Sequence, residues 1–267
     1  MIRQPAVAGQ FYPASPEKLR KQVEDCLEPA AHKQKAVAIV VPHAGLIYSG
    51  PVAGSVYSRV VLPHTLILIG PNHTGLGSPI SVFPEGEWEM PNGSVMIDQE
   101  LTEALTERSL HVERDVQAHL YEHCLEVHLP FLQYLLQDFK IVPIVMMRGE
   151  LEICQELGKA LAEIVRGSAE PILLVASTDM THYETDRLAR EKDRVAIDEI
   201  LSLDAEGLYR VVKERKISMC GYAPTVTVLA AAIELGAAHT NLIRYTTSGE
   251  VSRDYNHVVG YAGIIIA

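Results

Sequence analysis

Short, wholly apolar runs alternate along the chain with longer stretches in which apolar residues recur every three or four positions. Ala36 to Val41 is apolar throughout and meets Pro42 and then His43, in the stretch AVAIVVPHAGLIYSG that ends at Gly50. A continuous apolar run bounded by breakers predicts a strand buried on both faces, the habit of a parallel sheet. Pro42 has no amide to give to a ladder, so the strand should stop there and leave His43 just beyond its carboxyl end. The pattern recurs in Thr65 to Gly70 (TLILIG), followed by Pro71, Asn72 and His73, and in Pro171 to Ser177 (PILLVAS), followed by Asp179 and His182. Open α/β sheets bind ligands beyond the carboxyl ends of their strands. If the three strands are parallel neighbours, three imidazoles converge on one crevice.

Between these runs the spacing predicts helices. Ser15, Pro16 and Glu17 form a start signal for a helix to about Leu27. Pro51 to Val61 predicts a helix that links two strands into a right-handed βαβ unit. Asp98 caps a helix to about Arg108, and further helices are expected from Glu150 to Arg166, from Asp186 to Ser202 and from Asp204 to Lys216. A last helix, Thr225 to Leu235, should end at Gly236. Strands are also expected at the ISVF stretch, at Lys140 to Met147, near Leu242 to Thr247 and at His257 to Ile266. This order predicts a single α/β domain over residues 1–267 with a central, mostly parallel or mixed sheet flanked by helices.

Two stretches resist a simple reading. Glu85 to Asn92 (EGEWEMPN) reads as a loop around the only tryptophan, Trp88, which serves either as a lid over the crevice or as a plug at the sheet edge. Ala118 to Gln137 holds His119, His123 and His128 with Glu122 and Glu126. His119 and His123 have helical ligand spacing, but HEXXH is absent and Pro130 intervenes, so a loop and a short turn should lead into a helix from Pro130. These histidines read as a polar surround or surface patch in preference to a separate metal site.

Composition narrows the function classes. The chain has 267 residues, 48% hydrophobic, and no apolar run approaches the roughly 18 residues of a membrane span. Net charge is −11 with scattered lysines and arginines, which argues against a nucleic-acid partner. No charged-then-apolar leader opens the sequence, so a cytoplasmic location is expected. Cys26, Cys124, Cys154 and Cys220 lie far apart without a CxxC, so any functional cysteine acts singly. GxGxxG, the Walker loop and the GxSxG elbow are missing. Metal or proton chemistry at the strand-end histidines is the leading expectation. Cys220 precedes the last predicted helix, where the dipole favours thiolate; it is either an anionic ligand beside the histidines or a buried, inert thiol.

The stretches RQPAVAGQFYP, VPHAGLIYSG, IGPNHTG, EHCLEVHLP, STDMTHY and MCGYAP, taken in order over nearly the whole chain, resemble the Memo family, whose animal member is linked to ErbB2-driven cell motility. That family is similar in fold to the class III extradiol ring-cleaving dioxygenases. The resemblance implies a metal triad of His43, His73 and Cys220, with Asp179 and His182 as the remaining polar members of the pocket. Cys220 stands where the dioxygenases carry a glutamate, and His182 stands for their acid–base histidine. A thiolate in that position shifts preference toward copper(I), zinc or a thiolate-tolerant iron site.

The resulting expectation is an iron(II)- or copper-dependent oxidoreductase in which His182, oriented by Asp179, moves protons. Tyr48, Trp88, His123 and Tyr255 are candidate substrate contacts for a small molecule or peptide. The alternative is a metal- or peptide-binding protein on a former dioxygenase scaffold, with Phe11, Tyr12, Tyr48 and Trp88 walling an apolar groove. Zinc-assisted hydrolysis is a third reading. The family's gene neighbourhoods imply a radical S-adenosylmethionine pathway partner.

Overall fold

Side chains alternate across a strand, so a strand apolar at every position must be covered on both faces. The computed structural model describes residues 1–28 and 32–267. Ala38–Val41 pairs in parallel with Ile172–Ser177, which pairs in parallel with Thr65–Pro71, which pairs in parallel with Lys140–Met146. Ala38, Val40, Ile67, Ile69, Leu174 and Ala176 enter one apolar core, covered by the helices Leu151–Gly167 and Tyr222–Glu234. Ile39, Val41, Leu66, Leu68, Leu173 and Val175 enter the other, covered by Pro16–Cys26, Leu46–Tyr57 and Leu129–Leu135.

Among the described residues the parallel centre is extended into a mixed, 12-stranded sheet. Val258–Ile266 adds antiparallel to Ala38–Val41 and carries Thr240–Thr247 and His182–Glu184. On the far side, Gly93–Ile97, Glu87–Met90 and Ile2–Arg3 follow Lys140–Met146. Among the described residues no helix is long and apolar enough to cross a membrane.

The expected caps form: Ser15, Asp98 and Asp204 accept from the amides of Lys18, Leu101 and Gly207. Gly236 takes φ +86° after the last helix, the left-handed turn that glycine tolerates. Two helix starts differ from expectation. The helix after His43 begins at Leu46 and contains Pro51. The acceptor that loses its partner there is the carbonyl of Ile47, a residue 60% exposed, where water can replace the missing amide. The last helix begins at Tyr222, which leaves Pro224 in its first turn, where an amide is dispensable.

Trp88 is in the strand Glu87–Met90 and not in a loop. It is 1% exposed, packed edge-on to Phe83, and lies under the guanidinium of Arg3 at 4.1 Å. Of its two readings, the plug stands. Arg3 is itself fully buried. Its Nη1 pairs with Glu126 at 2.7 Å, and its Nε and Nη2 donate to the carbonyls of His119 and Glu122, each at 2.6 Å. Glu126 also accepts from the Ala6 and Val7 amides and from the Tyr12 hydroxyl. The irregular opening segment is thereby tied to residues 119–126.

Removing one member of a buried ion pair leaves an uncompensated charge, at about 3–5 kcal/mol. Arg3→Met is therefore expected to lower unfolding free energy by about that much in urea denaturation, and a loss under about 1 kcal/mol would contradict the assignment.

Candidate metal centre

Because neighbouring parallel strands end together, the residues after them meet. Val40 and Ile69 both register with Ala176, so His43, His73 and Asp179 emerge at one end of the sheet. The ring centroids of His43 and His73 lie 5.2 Å apart at 77°, and His123 stacks on His73 at 4.7 Å and 23°. One ring nitrogen from each of His43, His73 and His123 lies within 4.8 Å of the others. Cys220 adjoins this group, with Sγ 3.3 Å from His43 Nε2. His43 is 1% exposed whereas the His73 side chain is 34% exposed, so the cluster opens on the His73 side.

Two glycines let the outlying segments come this close. A Cβ on Gly70 would stand 2.5 Å from Cys124 Sγ, so the turn carrying Glu122 and His123 presses on the end of the His73 strand. A Cβ on Gly221 would stand 2.3 Å from the Ser177 carbonyl oxygen, so the turn carrying Cys220 presses on the end of the next strand.

Both leading imidazoles are held from behind. Glu122 accepts from His73 Nδ1 at 2.9 Å and from the amides of His73, His123 and Cys124. A carboxylate at Nδ1 leaves Nε2 with the lone pair, the usual arrangement of a ligating histidine. Burial pushes the Glu122 carboxyl up, but these donors, His73 first, outweigh it and hold its pKa at about 2. His43 Nδ1 lies 2.7 Å from Ser177 Oγ. Asp179, 5% exposed, accepts from the His43 amide at 2.8 Å, and burial raises its pKa to about 6.

The structure corrects two expectations about these residues. His182 Nδ1 meets the Ser218 carbonyl at 2.9 Å, so Ser218 orients that ring and Asp179 does not. Cys220 does precede a helix start, but burial, then the Asp179 carboxylate, push its thiol well above the ordinary range, so a metal bound there would have to displace the thiol proton.

The other candidates separate. Tyr48 stands in the first turn of the helix after His43, 37% exposed. Phe11 packs its ring on His123 at 4.7 Å, whereas Tyr12 and Trp88 are buried elsewhere and wall no groove. Tyr255 lays its ring against Gly249 and gives its carbonyl to the Asp186 amide. Of the three clustered histidines, only His123 joins the centre; His119 packs against Phe83 and Trp88, and His128 lies behind Ser177. Ser177 escaped the sequence reading, and Glu122 entered it only as part of the polar surround expected for residues 118–137, with no partner assigned. A cavity of about 740 Å³ lined by Thr65, Asp98 and Lys140 opens at the amino ends of the strands and holds none of these residues.

The donor set, imidazole nitrogens with one sulfur, fits zinc, copper or iron and suits magnesium or calcium poorly. The fold and the cluster together define an α/β protein with a histidine-rich candidate metal centre at its strand ends. The Memo-like protein family model matches residues 3–265. A MEMO1 family protein of Methanosarcina barkeri is 45% identical over 267 residues, covering 99% of this chain and all of that one. One from Methanothermobacter thermautotrophicus is 43% identical over 274 residues, covering 98% and 99%. The chain belongs to the Memo family. In structure it is similar to an uncharacterized protein of Escherichia coli K12, with TM-score 0.54 and 13% identity over 85% of this chain and 98% of that one, a likeness of fold alone.

Burial holds the pKa of His119 and His128 at about 3 and of His123 at about 4, and lowers His43 as well. Unfolded imidazoles take up protons near pH ~6.5, so below that pH the unfolded chain binds more protons and is favoured. Asp179 and Asp193, both raised by burial, work in the opposite direction, but as two groups against four. Stability measured by urea denaturation is expected to hold above about pH 6.5 and to fall steadily toward about pH 4. A flat profile over that interval would contradict neutral burial of these rings.

Proposed function

We propose that this Memo-family chain binds a redox-active metal, iron(II) or copper, through His43, His73 and Cys220, and acts as an oxidoreductase with a dioxygenase-like pocket. The observation that carries the reading is the convergence itself. Two imidazoles anchored at Nδ1 lie with ring centroids 5.2 Å apart, and the Cys220 sulfur sits 3.3 Å from His43 Nε2. A metal there would supply electron transfer and open positions for oxygen and a substrate.

The chain's own groups supply the rest. His182, with Nδ1 turned to the Ser218 carbonyl, has no hydrogen-bond partner at Nε2 among the described residues and would there take a proton from a substrate or return it. Asp179, whose pKa burial raises to about 6, shares that acid–base work. His123 and Phe11 form one wall, Tyr48 stands at the rim, and a small molecule or peptide enters on the exposed His73 side. The free state of all four cysteines among the described residues supports a reducing, cytoplasmic setting.

One observation favours a second reading. His123 reaches the same cluster, and four protein donors close a coordination sphere in the manner of structural sites. With His123 as the fourth ligand, the centre holds its metal without turnover.

Elemental analysis of protein purified without chelators or affinity-tag metals tests the first claim. Near-stoichiometric iron or copper is expected in the parent chain. His43→Ala and Cys220→Ser are expected to lose most of it while still unfolding cooperatively, and His123→Ala is expected to keep it. Full occupancy in folded His43→Ala would overturn the assignment. Oxygen uptake with catechols or thiols then separates the two readings, since a closed centre consumes none.

A further inference from the structure

The polar contacts behind His43 settle which of its nitrogens carries the proton. Ser177 Oγ, fully buried, lies 2.7 Å from each of three atoms: the Cys124 carbonyl oxygen, His43 Nδ1 and His128 Nε2. A hydroxyl has one proton and two lone pairs, and a carbonyl oxygen can only accept. The Ser177 proton therefore goes to Cys124, because otherwise two oxygens would meet at that distance with no hydrogen between them. Both imidazole nitrogens must then donate to Ser177. His128, donating from Nε2, has its lone pair on Nδ1, where the Tyr57 hydroxyl lies at 3.1 Å. Tyr57 is fully buried, and His128 is its only hydroxyl partner among the described residues.

We infer that Ser177 is a positioning residue for His43: its hydroxyl, committed to the Cys124 carbonyl, fixes His43 as the Nδ1–H tautomer and leaves Nε2 bare toward the cluster, while Tyr57 helps hold His128 as the Nε2–H tautomer. The inference rests on the reading of His43 as a ligand for its purpose, but not for its geometry. His43 and His73 are thereby prepared alike by different means, one by a neutral hydroxyl and the other by the Glu122 carboxylate. Strand alternation explains why Ser177 can do this. It follows Leu173 and Val175 on the face that carries Tyr57, so a serine at the end of that row points its hydroxyl between the two histidines.

Long-range ¹H–¹⁵N spectra of the imidazoles in the ¹⁵N-labelled, metal-free chain read the tautomers directly. The expected result is Nδ1–H at His43 and Nε2–H at His128. Tyr57→Phe, whose ring keeps its stack on Phe131, is expected to mix the His128 tautomers while His43 stays Nδ1–H. Ser177→Ala is expected to mix the tautomers at His43 and to weaken zinc binding, used as the probe, by roughly 10–100-fold. An Nε2–H resonance at His43 in the parent chain would overturn the inference without any variant. So would folded Ser177→Ala with unchanged His43 shifts and zinc affinity. If the parent chain shows the expected tautomers yet binds no metal, the proposed function fails and the tautomer assignment stands.

Discussion

The parallel alignment of Thr65–Pro71, Ile172–Ser177 and Ala38–Val41 is the constraint on which the centre depends. Chain direction decides it: three strands running the same way must release their following residues at the same end of the sheet. His43, His73 and Asp179 are far apart in sequence, yet the shared register leaves them little choice but to meet. The helices between the strands serve this end by covering both faces, which lets the strands be apolar at every position and so end abruptly at Pro42 and Pro71.

The sheet brings the rings together, but their orientation comes from a second layer of polar contacts. Nδ1 of His73 is fastened by Glu122 and Nδ1 of His43 by Ser177, each in a largely dry environment where an unmade hydrogen bond is costly. Glu122 in turn sits on a turn clamped by Arg3, so the opening residues of the chain influence the centre through a turn more than a hundred positions later. Burial keeps His43 and His123 neutral, the protonation state that a ligand requires.

How much of this was legible in the sequence follows from the range of each interaction. Strands and caps are local, and the runs before Pro42 and Pro71, with Ser15, Asp98 and Asp204, announced them. The strand-end positions of His43, His73 and Asp179 followed from the same local pattern. Trp88 was misread because its strand is short: Glu87 and Glu89 face out while Trp88 and Met90 face in, an alternation too brief to stand out between Gly86 and Pro91. Glu122, Ser177, His128 and Arg3 gain their roles only through contacts across the fold, where no periodicity points. The helix dipole alone does not set the Cys220 thiol, for a related reason. A helix start is visible in sequence, whereas the burial and the Asp179 carboxylate that outweigh it are properties of the packed structure.

What distinguishes this centre from a patch of buried histidines is the single sulfur beside them. X-ray absorption at the edge of the metal that co-purifies with the chain measures that sulfur directly. The account predicts one sulfur scatterer at about 2.3 Å together with imidazole scattering, and loss of the sulfur contribution in Cys220→Ser. A first coordination sphere of nitrogen and oxygen alone in the parent chain would contradict it.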